Sequence, residues 1–353
     1  MNNRLHKIIF VCIITLLTSI VIQSCKNKSD FEDINKFYFK EKLSDYNFFT
    51  GKLSDLHPAK GVVNYNLNSA LFTDYSIKDR FIFLPKGKKM GYTSKGVLDF
   101  PDGTILIKNF AYNNEQHQKI MIETRLLIKN PNNKEWEVMT YLWNKEQTDA
   151  IKQIVGAKLK IALLDDEGIK QNTTYVVPNT NDCKRCHINN GVLTPIGPKA
   201  RNLNLVLNDS KQNQLQLWSK QGILSGLPKL SEVDELPNWR DEKRFSLDQR
   251  ARAYLDINCA HCHTKGGDAF NTGLFLEFEQ KSKTMIGIMK EPVSAGGGAG
   301  GLNYDVIPGD VKKSILAYRM ASTEPGTAMP ELGRSMNHKE GIKLIEDWIK
   351  AMK

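Results

Sequence analysis

Two short runs carry the chemistry legible in this 353-residue sequence: Cys183-Lys184-Arg185-Cys186-His187 and Cys259-Ala260-His261-Cys262-His263. Each reads C-x-x-C-H. Two thiols at that spacing add across the two vinyl groups of one haem, and the adjoining imidazole is thereby set under the iron as proximal ligand. Cys183, Cys186, Cys259 and Cys262 are therefore expected to hold two covalently bound haem c groups, with His187 and His263 as axial ligands. Of the six cysteines, Cys12 falls in an apolar leader and Cys25 just after it, so these two pairs use up the rest. A four-cysteine zinc site would employ the same thiols, but the pairs lie too far apart for a zinc ribbon, and zinc gives no reason for a histidine after each. A redox C-x-x-C pair in an oxidising compartment fails on the same histidine.

The sixth ligands are less evenly marked. Met329 sits in the loop Glu324-Pro325-Gly326-Thr327-Ala328-Met329-Pro330, where no helix buries its thioether and the following proline favours extended backbone. It is the candidate distal ligand for the haem at Cys259 to His263, with Met320 and Met336 as rivals. His/Met ligation would raise the reduction potential of that haem. For the first motif, the stretch from His187 to Thr284 holds no methionine, and its only other histidines are His261 and His263. His117, Met121 and Met139 are candidates from upstream; an open sixth position would instead admit small ligands or peroxide chemistry.

These residues need elements to position them. Leu247, Ala251, Tyr254 and Leu255 form one helical stripe behind a Ser246 N-cap, so a helix runs directly into the second motif. Ile342, Ile345, Trp348, Ile349 and Met352 predict a terminal helix, and Asp310 to Met320 another after the Pro308-Gly309 turn. The first motif follows the extended segment Thr173 to Pro178, so no helix is expected to deliver its cysteines; a short helix follows at about Lys211 to Lys220. Upstream, Phe81–Leu84, Thr104–Phe110, Lys119–Lys129, Trp136–Trp143 and Lys158–Leu164 read as strands between Pro, Asn and Gly turns. An antiparallel sandwich or barrel is the simplest packing for them. The region holds no nucleophile elbow or paired carboxylates and reads as a scaffold. The glycine-rich run Ser294 to Gly301 lacks the Lys-Ser or Lys-Thr of a phosphate loop, and the differing flanks of the two motifs show no internal repeat.

With 41% hydrophobic and 25% charged residues, disorder and a multi-span membrane protein are excluded. The net charge of +10 is spread as single lysines, without the basic stripe of a nucleic-acid binder. Arg4, His6 and Lys7 precede the apolar run Ile8 to Ile22, the pattern of a secretory signal. Ile22-Gln23-Ser24-Cys25 resembles a bacterial lipobox, which makes Cys25 the candidate lipidation site and implies a membrane contact through a lipid anchor. The expected organisation is a signal peptide (1–24), a lipid tether and linker (25–55), a β-rich domain (56–178), a first haem-binding segment (179–237) and a class I cytochrome c-like domain (238–353).

Arg252 to His263, Pro308-Gly309-Asp310, Ser314, Arg319 and Met329-Pro330-Glu331-Leu332-Gly333 resemble the carboxy-terminal part of a family of secreted diheme c-type cytochromes. Phe100 to Thr104, Glu123 to Leu127, Tyr141 to Asn144 and Gly197 to Asn204 resemble the same family, so the likeness runs from about residue 60 to the end. The resemblance implies haem at both motifs, His187 and His263 proximal, Met329 distal, and no settled substrate. The expected fold class is α+β multidomain: an N-terminal antiparallel β sandwich or barrel followed by mostly α-helical cytochrome c-like haem domains. The expected function is electron transfer in the periplasm or at the outer membrane, with a redox partner protein and no nucleic acid. Two rivals stand beside it: a peroxidase-like enzyme with a five-coordinate haem at Cys183 to His187, and a β-rich binding module with structural haems.

Overall fold

The computed structural model describes residues 38–353. The leader, Cys25 and the tether up to residue 37 lie outside the described residues. Among those described, no helix is long and apolar enough to cross a membrane.

Alternating apolar residues build β1 (Val62–Asn64), β2 (Ile77–Phe83), β3 (Ile105–Asn113), β4 (Lys119–Lys129), β5 (Trp136–Trp143) and β6 (Ala150–Gln153). They pair antiparallel in chain order as one six-stranded sheet. Short turns close it: at the β3–β4 turn the Asn114 side chain accepts from the Gln116 and Gln118 amides at 3.0 and 2.9 Å, the local capping that suits asparagine to turns. A separate hairpin, β7 (Ala157–Leu164) and β8 (Lys170–Val177), pairs only with itself. It buries Leu163, Tyr175 and Val177 against Tyr112 of β3.

This corrects the expected fold class. Among the described residues the chain is mostly β, with 26% strand against 21% helix, and none of the six α-helices there belongs to a mostly helical cytochrome-like domain. The strands do not close into a barrel, because the edge strands β1 and β6 do not pair with each other, and they do not split into two like-sized sheets, because the hairpin has only two strands. In the carboxy-terminal part, α4 (Leu247–Asn258), α5 (Ile315–Ala321) and α6 (Lys339–Ala351) stand between long irregular stretches. From Cys259 to Ser314 the only helical pieces are single 3-10 turns, Phe270–Thr272 and Gly296–Ala299. Glycines at 266, 267, 273 and 296–298 and prolines at 292 and 308 interrupt any apolar period there.

A second correction concerns the first motif, which a helix does deliver. α1 (Thr180–His187) starts on a capping box, with the Asn179 side chain accepting from Asn181 and Asp182 amides and Asp182 accepting from the Asn179 amide. That reciprocal cap offsets the poor helix propensity of Asn-Asp-Cys. Two further short helices, α2 (Ala200–Leu203) and α3 (Gln214–Lys220), pack Leu203, Leu215 and Trp218 into the same core as Ile82, Leu106, Leu127 and Val138 of the sheet.

The carboxy-terminal helices have their own core, in which Tyr254, Leu255, Leu344, Ile345 and Trp348 meet. Ser246 caps α4 with Gln249 closing the box, as its sequence predicts. α6 crosses α4 at Gly341, where any Cβ would collide with the Tyr254 hydroxyl. Polar bonds tie this core to the sheet. Asn258 accepts from the Phe72 amide at 2.8 Å, and Asp74 accepts from the Ser335 and Met336 amides at 2.8 and 2.9 Å. Tyr75 donates to Glu340 at 3.1 Å.

His338, the N-cap residue of α6, sits at this junction. Its ring stacks on Phe72 at 4.1 Å and its Nδ1 meets the Tyr254 hydroxyl at 2.9 Å. Burial, then the charges of Arg240 and Lys78, pushes its pKa down to about 3. Glu340 Oε2 lies 3.5 Å from Nε2, too far to reverse the cost of burying the charge. An unfolded histidine takes up its proton near pH 6.5, so between there and pH 3 the unfolded chain binds the extra proton and stability falls as pH falls. At the acid end the loss is on the order of a few kcal/mol. Thermal midpoints measured from pH 7 to pH 4 should drop steeply in the native protein and more shallowly in His338→Phe; parallel curves would remove His338 as the cause.

Candidate functional site

Both motifs open onto cavities. On α1, Cys183 and Cys186 are three residues apart and His187 one further, so all three share a face. They line a cavity of about 1490 Å³, open solvent included, floored by Leu106, Leu127 and Val138. The second motif continues α4 as a tight turn: the Cys259 amide donates to Leu255 O at 2.9 Å, and the His263 amide to Cys259 O at 2.9 Å. Cys262 and His263 line a second cavity of about 1560 Å³, open solvent again included, with Leu274, Leu276 and Leu316. The two cavities share a wall in which Cys186, Cys259, His261 and Met329 face both.

The two motif histidines are held alike. His187 Nδ1 lies 3.0 Å from the Thr194 carbonyl, which can only accept. The proton is thereby fixed on Nδ1 and the Nε2 lone pair is left outward. His263 Nδ1 lies 3.3 Å from Thr272 Oγ1. That hydroxyl gives its own proton to Ala269 O at 2.7 Å, so it too receives from the ring. Orientation through Nδ1 is the usual support for an imidazole that ligates metal through Nε2. Burial first of all pushes both pKa values down to about 4, which keeps the rings neutral at physiological pH.

The thiols divide differently. Burial raises Cys183, and raises Cys259 to about 12. Cys186 is the acidic partner of a coupled pair, lowered by the thiol hydrogen bond from Cys262. Ligand atoms of Cys186, His261 and Cys262 lie within 4.8 Å of one another. Cys183 and Cys259 stand outside this group, so the four thiols do not converge on one zinc centre.

The loop that carries Met329 is pinned at both of its main-chain polar groups. The Met329 amide donates to Arg319 O at 3.0 Å, and Arg334 donates to Met329 O at 2.9 Å. Met320 faces the same two cavities, whereas Met336 packs near the β7–β8 hairpin. Arg185 bonds both Asp268 and Glu331 at 3.1 Å, fastening α1 to the loops on either side of the second cavity. Close by, the Asn190 amide donates to Gly266 O at 2.8 Å. Gly266, at φ +79, leaves no room for a Cβ beside the Asn190 side chain.

None of the three upstream candidates, His117, Met121 and Met139, lines either cavity. His117 is on the exposed β3–β4 turn and Met121 is buried. The structure instead brings His338, Arg80, Lys108, Arg125 and Arg334 to the first cavity. The sequence carried no sharp signal for three of these: Arg80 shares β2 with Lys78 and Asp79, Arg125 shares β4 with Lys119, Glu123 and Lys129, and only Lys108 is a lone cation within its strand. Ser294 and Ala295 place the glycine-rich run at the edge of the second cavity. Comparison with protein-family models, with curated proteins and with solved structures finds no match to this chain.

Proposed function

We propose that this chain is a diheme c-type electron carrier, with one haem bound through Cys183 and Cys186 and the other through Cys259 and Cys262. The observation that carries the reading is the pair of motif histidines, each at a cavity, neutral, and with Nδ1 committed to an acceptor so that Nε2 is free. That support suits any metal-ligating imidazole; what zinc or disulfide chemistry does not call for is a histidine directly after the second cysteine of both motifs. When bound, each group would supply an iron that accepts and releases one electron. His187 and His263 would be its proximal ligands, and Met329, common to both cavity walls, the distal ligand at the second site. The protein part of the task is then to hold these ligands rigidly, exclude water with Leu274, Leu276 and the sheet floor, and keep the two sites adjacent. Export through the leader and a lipid at Cys25 would place the carrier outside the cytoplasmic membrane, where scattered lysines would steer an acidic redox partner.

Intact mass should show two haems on the matured chain, and one on Cys183→Ala/Cys186→Ala. Electron paramagnetic resonance of the oxidised protein should then show two low-spin irons. An unmodified mass would sink the proposal.

A second reading, a peroxidase-like catalyst, is favoured by one observation: the three upstream side chains considered for the sixth position of the first haem all lie away from its cavity. A high-spin signal that shifts on adding cyanide, and is lost with Cys183→Ala/Cys186→Ala, would put that reading first.

A further inference from the structure

On the cavity face of the sheet, two rows of residues run across the strands. Strand register sets Ile82, Leu106, Leu127 and Val138 directly opposite one another on β2, β3, β4 and β5. Two residues along, Arg80, Lys108, Arg125 and Thr140 form the next row in the same register. Residues two apart share a face, so the rows lie side by side, about 7 Å apart. Like charges directly opposite one another destabilise a sheet, and here three cations stand on three adjacent strands, all lining the first cavity. Among the described residues only Arg125 has a carboxylate partner, Glu123, which also accepts from Tyr175. Arg80 donates only to the Lys78 carbonyl, at 3.3 Å, and the Lys108 ammonium rests 4.7 Å from the centre of the Phe110 ring. Asp182, the carboxylate that does line the cavity, is spent on the α1 cap.

An apolar row beside a row of underpaired cations matches a flat ligand with a hydrophobic body and a carboxylate edge. We propose that Arg80 and Lys108, with Arg125 behind them, are the binding site for the propionate carboxylates of the tetrapyrrole held at Cys183 to His187. This rests on the diheme reading and adds the orientation of the group, its carboxylate edge toward β2 and β3 and its apolar body over Leu106 and Leu127. The cations neutralise charge that would otherwise be buried, and they favour the reduced state of the iron electrostatically.

The test uses the full-length matured protein and Arg80→Gln/Lys108→Gln, with Lys160→Gln as a control on the exposed hairpin strand β7. Mass establishes two haems first; their absence from the native chain would defeat the diheme reading and this assignment with it, whereas the readouts below bear on this assignment alone. With both haems present, resonance Raman should show the propionate bending band of one haem shifted in the double variant and restored towards native in Lys108→Arg. The reduction equilibrium of that haem should fall about tenfold, 59 mV for one electron, while Lys160→Gln leaves it unchanged. Two bound haems with unaltered bands and potentials would overturn the assignment. So would a native potential that moves with added inorganic phosphate, since the cations would then be open to exogenous anions. Should the double variant not fold, the single Lys108→Gln carries the same two readouts.

Discussion

Met329→Ala is expected to lower the reduction potential of one haem by on the order of 0.1 V, within the ~0.8 V range that axial ligation spans, and to leave the other nearly unmoved. The argument is local. The Met329 loop is fixed by the Arg319 carbonyl and the Arg334 guanidinium, at 3.0 and 2.9 Å, so truncation removes a thioether without releasing the backbone that presents it. A thioether opposite imidazole favours the reduced state, and its loss to water or to nothing reverses that preference. Optical redox titration of the variant checks the expectation, with the low-spin to high-spin change of one iron as the accompanying signature. If Met320 is the ligand, Met329→Ala will leave both potentials in place and Met320→Ala will move one, which separates two side chains that face the same cavities.

The second large effect is on stability. Asp256, on α4, is buried and accepts from Arg201 of α2 at 2.6 Å and from the Phe278 amide at 3.1 Å, with Lys199 at 3.9 Å. Arg201 is itself buried, and its other guanidinium nitrogen reaches Glu279. Replacing one member of such a pair leaves the other charge buried, and costs about 3–5 kcal/mol. Asp256→Ala should therefore shift the denaturant midpoint markedly, and Asp256→Asn by less, because the amide oxygen still accepts from Arg201. Equal midpoints for native and Asp256→Ala would mean that Glu279 alone satisfies the guanidinium.

What the sequence made legible divides along physical lines. Lys119–Lys129 and Trp136–Trp143 were legible as alternating or apolar runs between turn residues, because strand period and turn chemistry are local properties. α4 and its Ser246 cap were legible for the same reason. α1 was not: its eight residues have no apolar stripe, and it exists through the Asn179 and Asp182 side chains and the sheet beneath it. The architecture of the carboxy-terminal part was overestimated as helical because three genuine stripes were extended into the glycine- and proline-broken stretches between them. At the site, the motif thiols and histidines are adjacent in sequence and needed no fold to find. Arg80, Lys108 and Arg125 belong together only through strand register, a relation that no single segment displays.

The meeting of Cys186 with Cys262 has a bearing on how such a chain must be made. These are the second thiols of two different motifs, and folding alone places them with His261 in one cluster spanning less than 4.8 Å. A chain that folded in an oxidising compartment with all four thiols bare would therefore hold, ready-made, the wrong pair for an oxidant to join. A crosslink there would occupy one sulfur of each motif at once and leave neither able to accept its group. If the four thiols carry the two haems proposed above, the finished shape constrains the order of biogenesis: the thiols are consumed while the chain is still extended, and tertiary structure comes second.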